Sequence, residues 1–297
     1  MKLHNVYSCI PLIVSIFCFG LIHKVYANVA DDLNANYNKI VNDCGSPRKP
    51  AFLCSGIMIR VTSTSHDYHT WDPSPNSISR QGVSFVYLRK DIKAHIDYVG
   101  KTSGIIYFPG LMQPSWKGLA EIKCAFPIDG WTSTRSDSCG NDSLYPDGSN
   151  FCQSQDINTA DAWYNHFVSI PDEENKRGQH QCGFNMSIGT QNTADAFNEN
   201  LKAIRKMQSS RAFYEYNEII IKTWPTIEGK IPNPEALPIQ AFFYRDNGLV
   251  DAQYFQYDYY NVTNIWIPIV KMVQDTEGGN TKFYYDSHDQ LIAGCSK

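Results

Sequence analysis

Most of the short motifs that mark a common enzyme class are missing from this sequence. It has no G-x-S-x-G nucleophile elbow, no Walker loop, no G-x-G-x-x-G fingerprint and no H-E-x-x-H pair. It also has no C-x-x-C pair and no cysteine–histidine spacing of the zinc-finger kind. These absences argue against the α/β-hydrolases, the P-loop and Rossmann nucleotide binders and the zinc proteins, and we expect no metal.

The sequence is also poor in positive charge. It carries 26 basic and 30 acidic residues, a formal net charge of −4, and no strongly basic stretch stands out. Nucleic-acid binders need a basic surface, so we predict no nucleic-acid partner. The 297 residues are 42% hydrophobic and 13% aromatic, which is enough to bury a core and excludes a disordered chain.

The main apolar run of the sequence lies at its beginning. It extends from about Cys9 to Ile22 and is followed by Val25-Tyr26-Ala27, which resembles a signal-peptidase site. The run is shorter than the roughly 20 apolar residues that cross a bilayer, so we predict no membrane anchor. We predict a signal peptide over residues 1–27 and a single secreted, extracellular domain over 28–297, with the periplasm as the alternative location.

Cysteine usage agrees with export. Seven of the nine cysteines lie after the predicted signal peptide: Cys44, Cys54, Cys124, Cys139, Cys152, Cys182 and Cys295. Most should form disulfides in an oxidising compartment, and Cys295, close to the C-terminus, is the expected leftover. Spacing leaves the connectivity open. The expected pairs are Cys44–Cys54, Cys139–Cys152 and Cys124–Cys182.

Apolar patterning predicts short strands with a few interspersed helices. The expected strands are 51–62, 82–88, 104–108, 121–127, 217–224, 237–244 and 265–272. The expected helices are 31–43, 89–98, 160–168 and 193–207. No β-α-β rhythm runs through this order, which predicts an α+β fold rather than a doubly wound sheet. Residues 129–158 are rich in glycine, asparagine, aspartate and serine and predict a long loop.

Three polar side chains interrupt these apolar strands. Arg60 lies late on the first strand, Ser84 lies in the second, and Glu218 opens a later strand of three isoleucines. A guanidinium in a buried strand is costly unless an anion or carboxylate meets it. The plainer interpretations are an arginine at a solvated sheet edge, a serine tolerated in a sheet and an acid that limits aggregation.

Histidines offer a weaker alternative. His66 and His69 flank Tyr68, and His180 lies close to Cys182. A hydrolase that uses His180 with an acidic residue could be built from them. Ordinary surface or structural histidines explain the same pattern.

Taken in chain order, Arg60, Ser84 and Glu218 resemble the Arg–Ser–Glu pattern of the ADP-ribosyltransferase superfamily. The resemblance implies a mixed, mainly antiparallel β core of that type, with peripheral helices and disulfide-stapled loops, and makes 129–192 an insertion. It also implies that Arg60 binds a phosphate or ribose of NAD, that Ser84 shapes the cleft and that Glu218 contacts the nicotinamide ribose.

The sequence departs from this pattern before the glutamate. Transferases that modify a protein usually carry glutamine or glutamate two residues before the catalytic glutamate, where this chain has Tyr216. Glu215 lies one residue further away and is the second candidate catalytic acid. Water is therefore the expected acceptor.

Longer motifs resemble the halovibrin family, which comprises secreted proteins of Gram-negative bacteria linked to NAD glycohydrolase and ADP-ribosyltransferase activity. The motifs are 42–45, 50–60, 71–75, 82–85, 124–129, 180–184, 217–218 and 237–244. The resemblance extends over about residues 42–272 and implies export and NAD cleavage.

The expected function is therefore a secreted NAD glycohydrolase that releases nicotinamide and ADP-ribose. Such cleavage passes through an oxocarbenium-like state, which a carboxylate stabilises. NAD would be the substrate, so no cofactor is expected. The alternatives are an ADP-ribosyltransferase toxin that modifies a host protein and a non-enzymatic recognition module with an aromatic surface. An immunity protein is a further expected partner of a toxin.

Overall fold

The computed structural model describes most of the chain after residue 28. The described residues are 29–94, 96, 100–107, 121–130, 139, 152, 156–168, 179–186, 190–209, 216–223, 227–228, 231–232, 238–275 and 280–291. The predicted signal peptide and Cys295 lie outside them.

The elements follow the predicted mixture of strands and helices. The helices are α1 (29–38), α2 (Pro75–Ser79), α3 (Ala160–Phe167), α4 (Thr190–Ser209) and α5 (Leu249–Thr263). The strands are β1 (Ile57–Thr62), β2 (Val83–Leu88), β3 (Ser103–Tyr107), β4 (Glu121–Phe126), β5 (Phe184–Asn185), β6 (Glu218–Lys222), β7 (Ile227–Glu228), β8 (Ile231–Pro232), β9 (Ile239–Tyr244), β10 (Ile269–Gln274) and β11 (Thr281–Tyr284).

Nine of the described strands form one sheet in the order β11-β10-β9-β3-β1-β2-β6-β4-β5, and β7 pairs with β8 separately. Neighbours in the large sheet are antiparallel, except that β9 and β10 are parallel and connected through α5. The prediction of an α+β fold with a mainly antiparallel sheet is confirmed.

Helices cover both faces of the sheet, so the central strands contribute to two cores. Met58 packs in the core that contains side chains of α3, α4 and α5, whereas Ile57 and Ile59 pack in the core that contains Leu33 of α1. A strand buried on both faces needs apolar residues at successive positions. This explains the nearly continuous apolar run that predicted β1.

The prediction of a helix at residues 89–98 is wrong for residues 89–94, which are not helical. Arg89 there forms an isolated bridge with Ile92, and its side chain is fully buried. Helix α5 and strand β11 were not predicted. In α5 Gln256 is fully buried while Val250 is 74% exposed, so apolar residues do not follow a regular helical face.

Three disulfides staple the described residues. Cys44–Cys54 forms as predicted, but the pairs Cys139–Cys152 and Cys124–Cys182 are wrong: the chain forms Cys124–Cys139 and Cys152–Cys182. Cys124 and Cys139 lie in a small cluster with Ile220, whereas Cys152 and Cys182 lie in the large core with Ile219. Successive residues of β6 face opposite sides of the sheet, so each expected pair joined cysteines from different cores.

The connectivity can be tested by mass spectrometry of the oxidised protein after proteolysis without reduction. We expect linked peptides that contain Cys124 with Cys139 and Cys152 with Cys182, because these pairs share a core. A peptide that links Cys139 to Cys152 would contradict the fold around β4.

Arg89 holds the end of β2 against helix α4 and the segment that follows α1. Its guanidinium donates to both carboxylate oxygens of Asp91, at 2.6 and 3.0 Å, and to the carbonyl of Val41 at 2.7 Å. Arg205 of α4 donates to the same carboxylate at 2.6 Å. Burial opposes ionisation of Asp91, but hydrogen bonds and attraction from Arg89 and Arg205 outweigh it, so the pKa of Asp91 is lowered.

Replacement Asp91→Asn should therefore change how stability depends on pH. A lowered pKa means that ionised Asp91 stabilises the fold above about pH 4, and that this contribution is lost as the pH falls through the lowered pKa. We expect the variant to lose about 3 kcal/mol at pH 7, because Arg89 keeps a buried charge, and to lose less stability on acidification.

Urea unfolding between pH 7 and pH 3 measures both effects. The control is Asp43→Asn, which removes a carboxylate from the exposed pair with Arg48. We expect that change to cost at most about 1 kcal/mol. Equal losses in the two variants would contradict a special role for Asp91.

Candidate functional site

Strand β2 has different partners along its length. Its second half pairs with β1, and that ladder ends at Ile59–Val86. Its first half pairs with β6, where Ser84 lies opposite Ile220. Beyond Ile59, β1 continues beside β3. Strands β1 and β2 therefore diverge beyond the Ile59–Val86 pair, and we call the gap between β1 and β2 the fork.

A cavity of about 250 Å³ occupies the fork. Its lining consists of Ile59, Arg60, Val61, Asn76, Ser77, Arg80, Ser84, Phe85, Val86 and Tyr216. The structure thus brings two of the predicted site residues, Arg60 and Ser84, to one cavity from the two diverging strands. None of the described lining residues is acidic, so this part of the lining is positively charged within an acidic protein.

Arg60 and Ser84 line this fork cavity from β1 and β2. The half-buried guanidinium of Arg60 donates to the carbonyl of Asp72 at 3.4 Å. The hydroxyl of Ser84 has no hydrogen-bond partner among the described residues, although the side chain is partly buried. A serine hydroxyl can both donate and accept, so Ser84 offers a polar contact to a ligand in the cavity.

Glu218 lies on the neighbouring strand and does not line the fork cavity. It opens β6, is only 3% exposed, and its Oε2 accepts a hydrogen bond from the backbone N–H of Gly130 at 2.7 Å. Because Ser84 faces Ile220 across the ladder and side chains alternate along a strand, Glu218 and Ser84 project from the same face of the sheet. Glu215 lies outside the described residues.

Tyr216 connects the fork cavity to the segment that holds Glu218. Its ring lines the cavity, and its hydroxyl donates to Oδ1 of Asp129 at 3.1 Å. The carbonyl of Asp129 lies 2.6 Å from Nδ1 of His180, a buried side chain. His180 therefore helps to position the Asp129–Gly130 turn, which contacts both Tyr216 and Glu218.

The space around Gly130 is too small for a side chain. A Cβ atom built there would lie 2.6 Å from the ring of Phe126 and 2.8 Å from Oε2 of Glu218. Any side chain would displace the carboxylate or the ring. Asp129 and Gly130 were missed as site residues, because the sequence shows them only as the start of a loop.

Asn217, which precedes β6, binds the backbone of β2. Its side-chain amide donates to the carbonyl of Tyr87 and accepts from the N–H of Tyr87, both at 2.9 Å. The amide thus replaces a strand residue as the partner of β2 beyond the β2–β6 ladder. Asn34 of α1 binds the backbone of Phe283 in the same way, at 2.9 and 3.0 Å.

His69 lies apart from this group and has a structural contact. Its Nδ1 lies 2.7 Å from Oδ2 of Asp258 on α5, and the indole N–H of Trp71 donates to the same oxygen at 2.7 Å. These bonds attach the segment after β1 to α5. Asp72 of that segment supplies the carbonyl that Arg60 contacts.

Within the described ranges, no group of three histidine, cysteine, aspartate or glutamate side chains is arranged to hold a metal ion. The helices described there are also too short or too polar to cross a lipid bilayer.

Comparison with known proteins found no protein-family model that matches this chain and no curated protein that matches it. The resemblances to the ADP-ribosyltransferase and halovibrin families therefore depend on the sequence motifs themselves.

Replacement Asn217→Ala should destabilise the contact between β2 and the start of β6. It leaves a buried N–H and carbonyl of Tyr87 without partners, which costs about 1–3 kcal/mol for each group. The matched control is Asn34→Ala, which removes the same two bonds from Phe283 at a partly buried position and should cost less. Urea unfolding measures both, and a smaller loss for Asn217→Ala than for Asn34→Ala would contradict its role.

Proposed function

We propose that the protein is a secreted NAD glycohydrolase with an ADP-ribosyltransferase-like core. The observation that carries the proposal is the fork, where Arg60 and Ser84 line one cavity while Glu218 starts the strand on the other side of β2. This arrangement supports the roles that the Arg–Ser–Glu resemblance implies. The three disulfides are compatible with the oxidising environment of an exported protein.

In the proposed reaction, the bond between C1′ of the ribose and the pyridinium nitrogen of nicotinamide breaks. The bonding electron pair goes to the nitrogen, so nicotinamide leaves as a neutral molecule. Water adds to C1′ and loses a proton, which gives ADP-ribose. The leaving group needs no strong acid, because the pyridinium is already charged.

Each residue then has one role. The carboxylate of Glu218 stabilises the positive charge that develops on the ribose. Arg60 binds the diphosphate through its guanidinium, and Ser84 orients the ligand through its hydroxyl. The proposal requires the nicotinamide ribose to reach Glu218 from the fork cavity past Tyr216. The backbone N–H of Gly130 keeps the carboxylate in one orientation.

Tyr216 supports hydrolysis over transfer to a protein. It stands where protein-modifying transferases usually carry an acidic or amide side chain, and its hydroxyl is already bonded to Asp129. With no acceptor-positioning group at this place, water is the acceptor in the proposal. The alternative is a transferase toxin in which Glu215 positions a host protein.

The test is release of nicotinamide from NAD by the oxidised mature protein and by Glu218→Gln. We expect the variant to lose activity by at least about 100-fold, because it loses the charge that stabilises the ribosyl cation. The matched control is Glu199→Gln, since Oε2 of Glu199 also accepts a backbone N–H, that of Ala160, at 2.8 Å. This control should keep its activity.

The remaining outcomes separate the alternatives. Release by wild type and Glu218→Gln alike would move the catalytic carboxylate, with Glu215→Gln the next variant. Label transferred from NAD to proteins of a host lysate would support the transferase. Absence of both release and transfer would overturn the NAD proposal.

A recognition module is the second candidate, because α5 presents an apolar and aromatic face to solvent. Val250, Tyr254 and Tyr257 are 74%, 41% and 56% exposed, and their spacing places them on one side of the helix. Such faces are frequent in protein and glycan interfaces. It becomes the leading candidate if NAD is not cleaved.

A further inference from the structure

We infer that Arg80 is a second anion-binding side chain of the fork cavity, and that the cavity holds a diphosphate between Arg80 and Arg60. With NAD as the ligand, the inference rests on the proposed function. Arg80 is not part of the Arg–Ser–Glu pattern. It is the C-terminal cap of α2, between β1 and β2, and it lines the same cavity as Arg60.

The side chain of Arg80 has no partner among the described residues. Its exposed guanidinium forms no hydrogen bond or ion pair with the described residues, whereas other described arginines are bonded to acids or carbonyls. Arg89, for example, is bonded to Asp91 and to Val41. An unpaired guanidinium beside a cavity provides several N–H donors for an incoming anion.

The backbone around Arg80 is well constrained. Helix α2 starts after Ser74, whose hydroxyl accepts from the N–H of Ser77 at 3.1 Å, and Pro75 is its first residue. The N–H of Arg80 donates to the carbonyl of Asn76 at 3.0 Å, and Gln81 follows with a left-handed φ of 60°. The backbone at Arg80 is therefore fixed by hydrogen bonds at the wall of the fork cavity.

Charge and size indicate the ligand. The described lining contains two arginines and no acidic residue, and it adds hydroxyl or amide groups of Asn76, Ser77 and Ser84. Two guanidinium groups match the two negative charges of a diphosphate. A volume of about 250 Å³ lies below the 300 Å³ or more of a typical drug-sized ligand site. The fork cavity therefore accommodates the charged middle of a dinucleotide, with the rest outside.

The test measures binding of ADP, AMP and adenosine to the oxidised mature protein by titration calorimetry. We expect ADP to bind more tightly than AMP, and AMP more tightly than adenosine. Arg80→Gln should weaken ADP binding by at least about tenfold, because a charged hydrogen-bonding group is lost, and should bring ADP close to AMP. Adenosine binding should not change.

Arg48→Gln is the matched control, because Arg48 is an exposed arginine that pairs with Asp43 and Asp195 away from the fork cavity. Arg48→Gln and Arg80→Gln each remove one positive charge. An equal loss of ADP affinity in both variants would mean that only the net charge of the protein matters, and it would overturn the inference. Unchanged ADP affinity in Arg80→Gln, or no ADP binding by the wild type, would overturn it as well. Because Arg80 is exposed, the substitution Arg80→Gln should leave the melting temperature of the protein unchanged.

These readouts separate this inference from the proposed function. ADP binding that depends on Arg80, without cleavage of NAD, would support the diphosphate site and reject the glycohydrolase. Cleavage of NAD with unchanged KM and ADP affinity in Arg80→Gln would support the glycohydrolase and reject the role of Arg80.

Discussion

Strand β2 exchanges backbone hydrogen bonds with β1 through its second half and with β6 through its first half, and this change of partner organises the candidate site. Beyond the Ile59–Val86 pair, β1 and β2 separate, and the fork between them holds the cavity that Arg60 and Ser84 line. Buried backbone donors and acceptors must find partners. Where the β2–β6 ladder ends, the side-chain amide of Asn217 supplies both partners of Tyr87 and keeps the start of β6, with Glu218, beside β2.

The segment after β4 contributes to the candidate site. Asp129 and Gly130 contact Tyr216 and Glu218 directly, and His180 contacts the carbonyl of Asp129 from a distant part of the chain. Strand β5 follows His180 and pairs with β4 at the edge of the sheet. The disulfide Cys124–Cys139 attaches to β4, and Cys152–Cys182 lies in the large core.

The described arginines differ in whether an acidic side chain neutralises their charge. Arg89 is fully buried, and the carboxylate of Asp91 neutralises it, so its charge is used within the fold. The fork cavity is lined by Arg60 and Arg80, and no acidic residue is among the described residues of its lining. In a chain with a net charge of −4, this local excess of positive charge is a property that overall composition does not reveal.

The sequence by itself determined the α+β class, the strands β1, β2 and β6, and which six cysteines form disulfides. It also identified Arg60 and Ser84 as candidate site residues. Apolar runs and the polar residues that interrupt them are local signals, so they can be recognised without the tertiary structure. Only the tertiary structure decided which cysteines bond, that Glu218 lies outside the fork cavity, and that Arg80 lines it. It also revealed α5, in which buried Gln256 and exposed Val250 obscure the helical pattern. These features depend on which strands pair and which faces meet, and such contacts join residues that are distant in the chain.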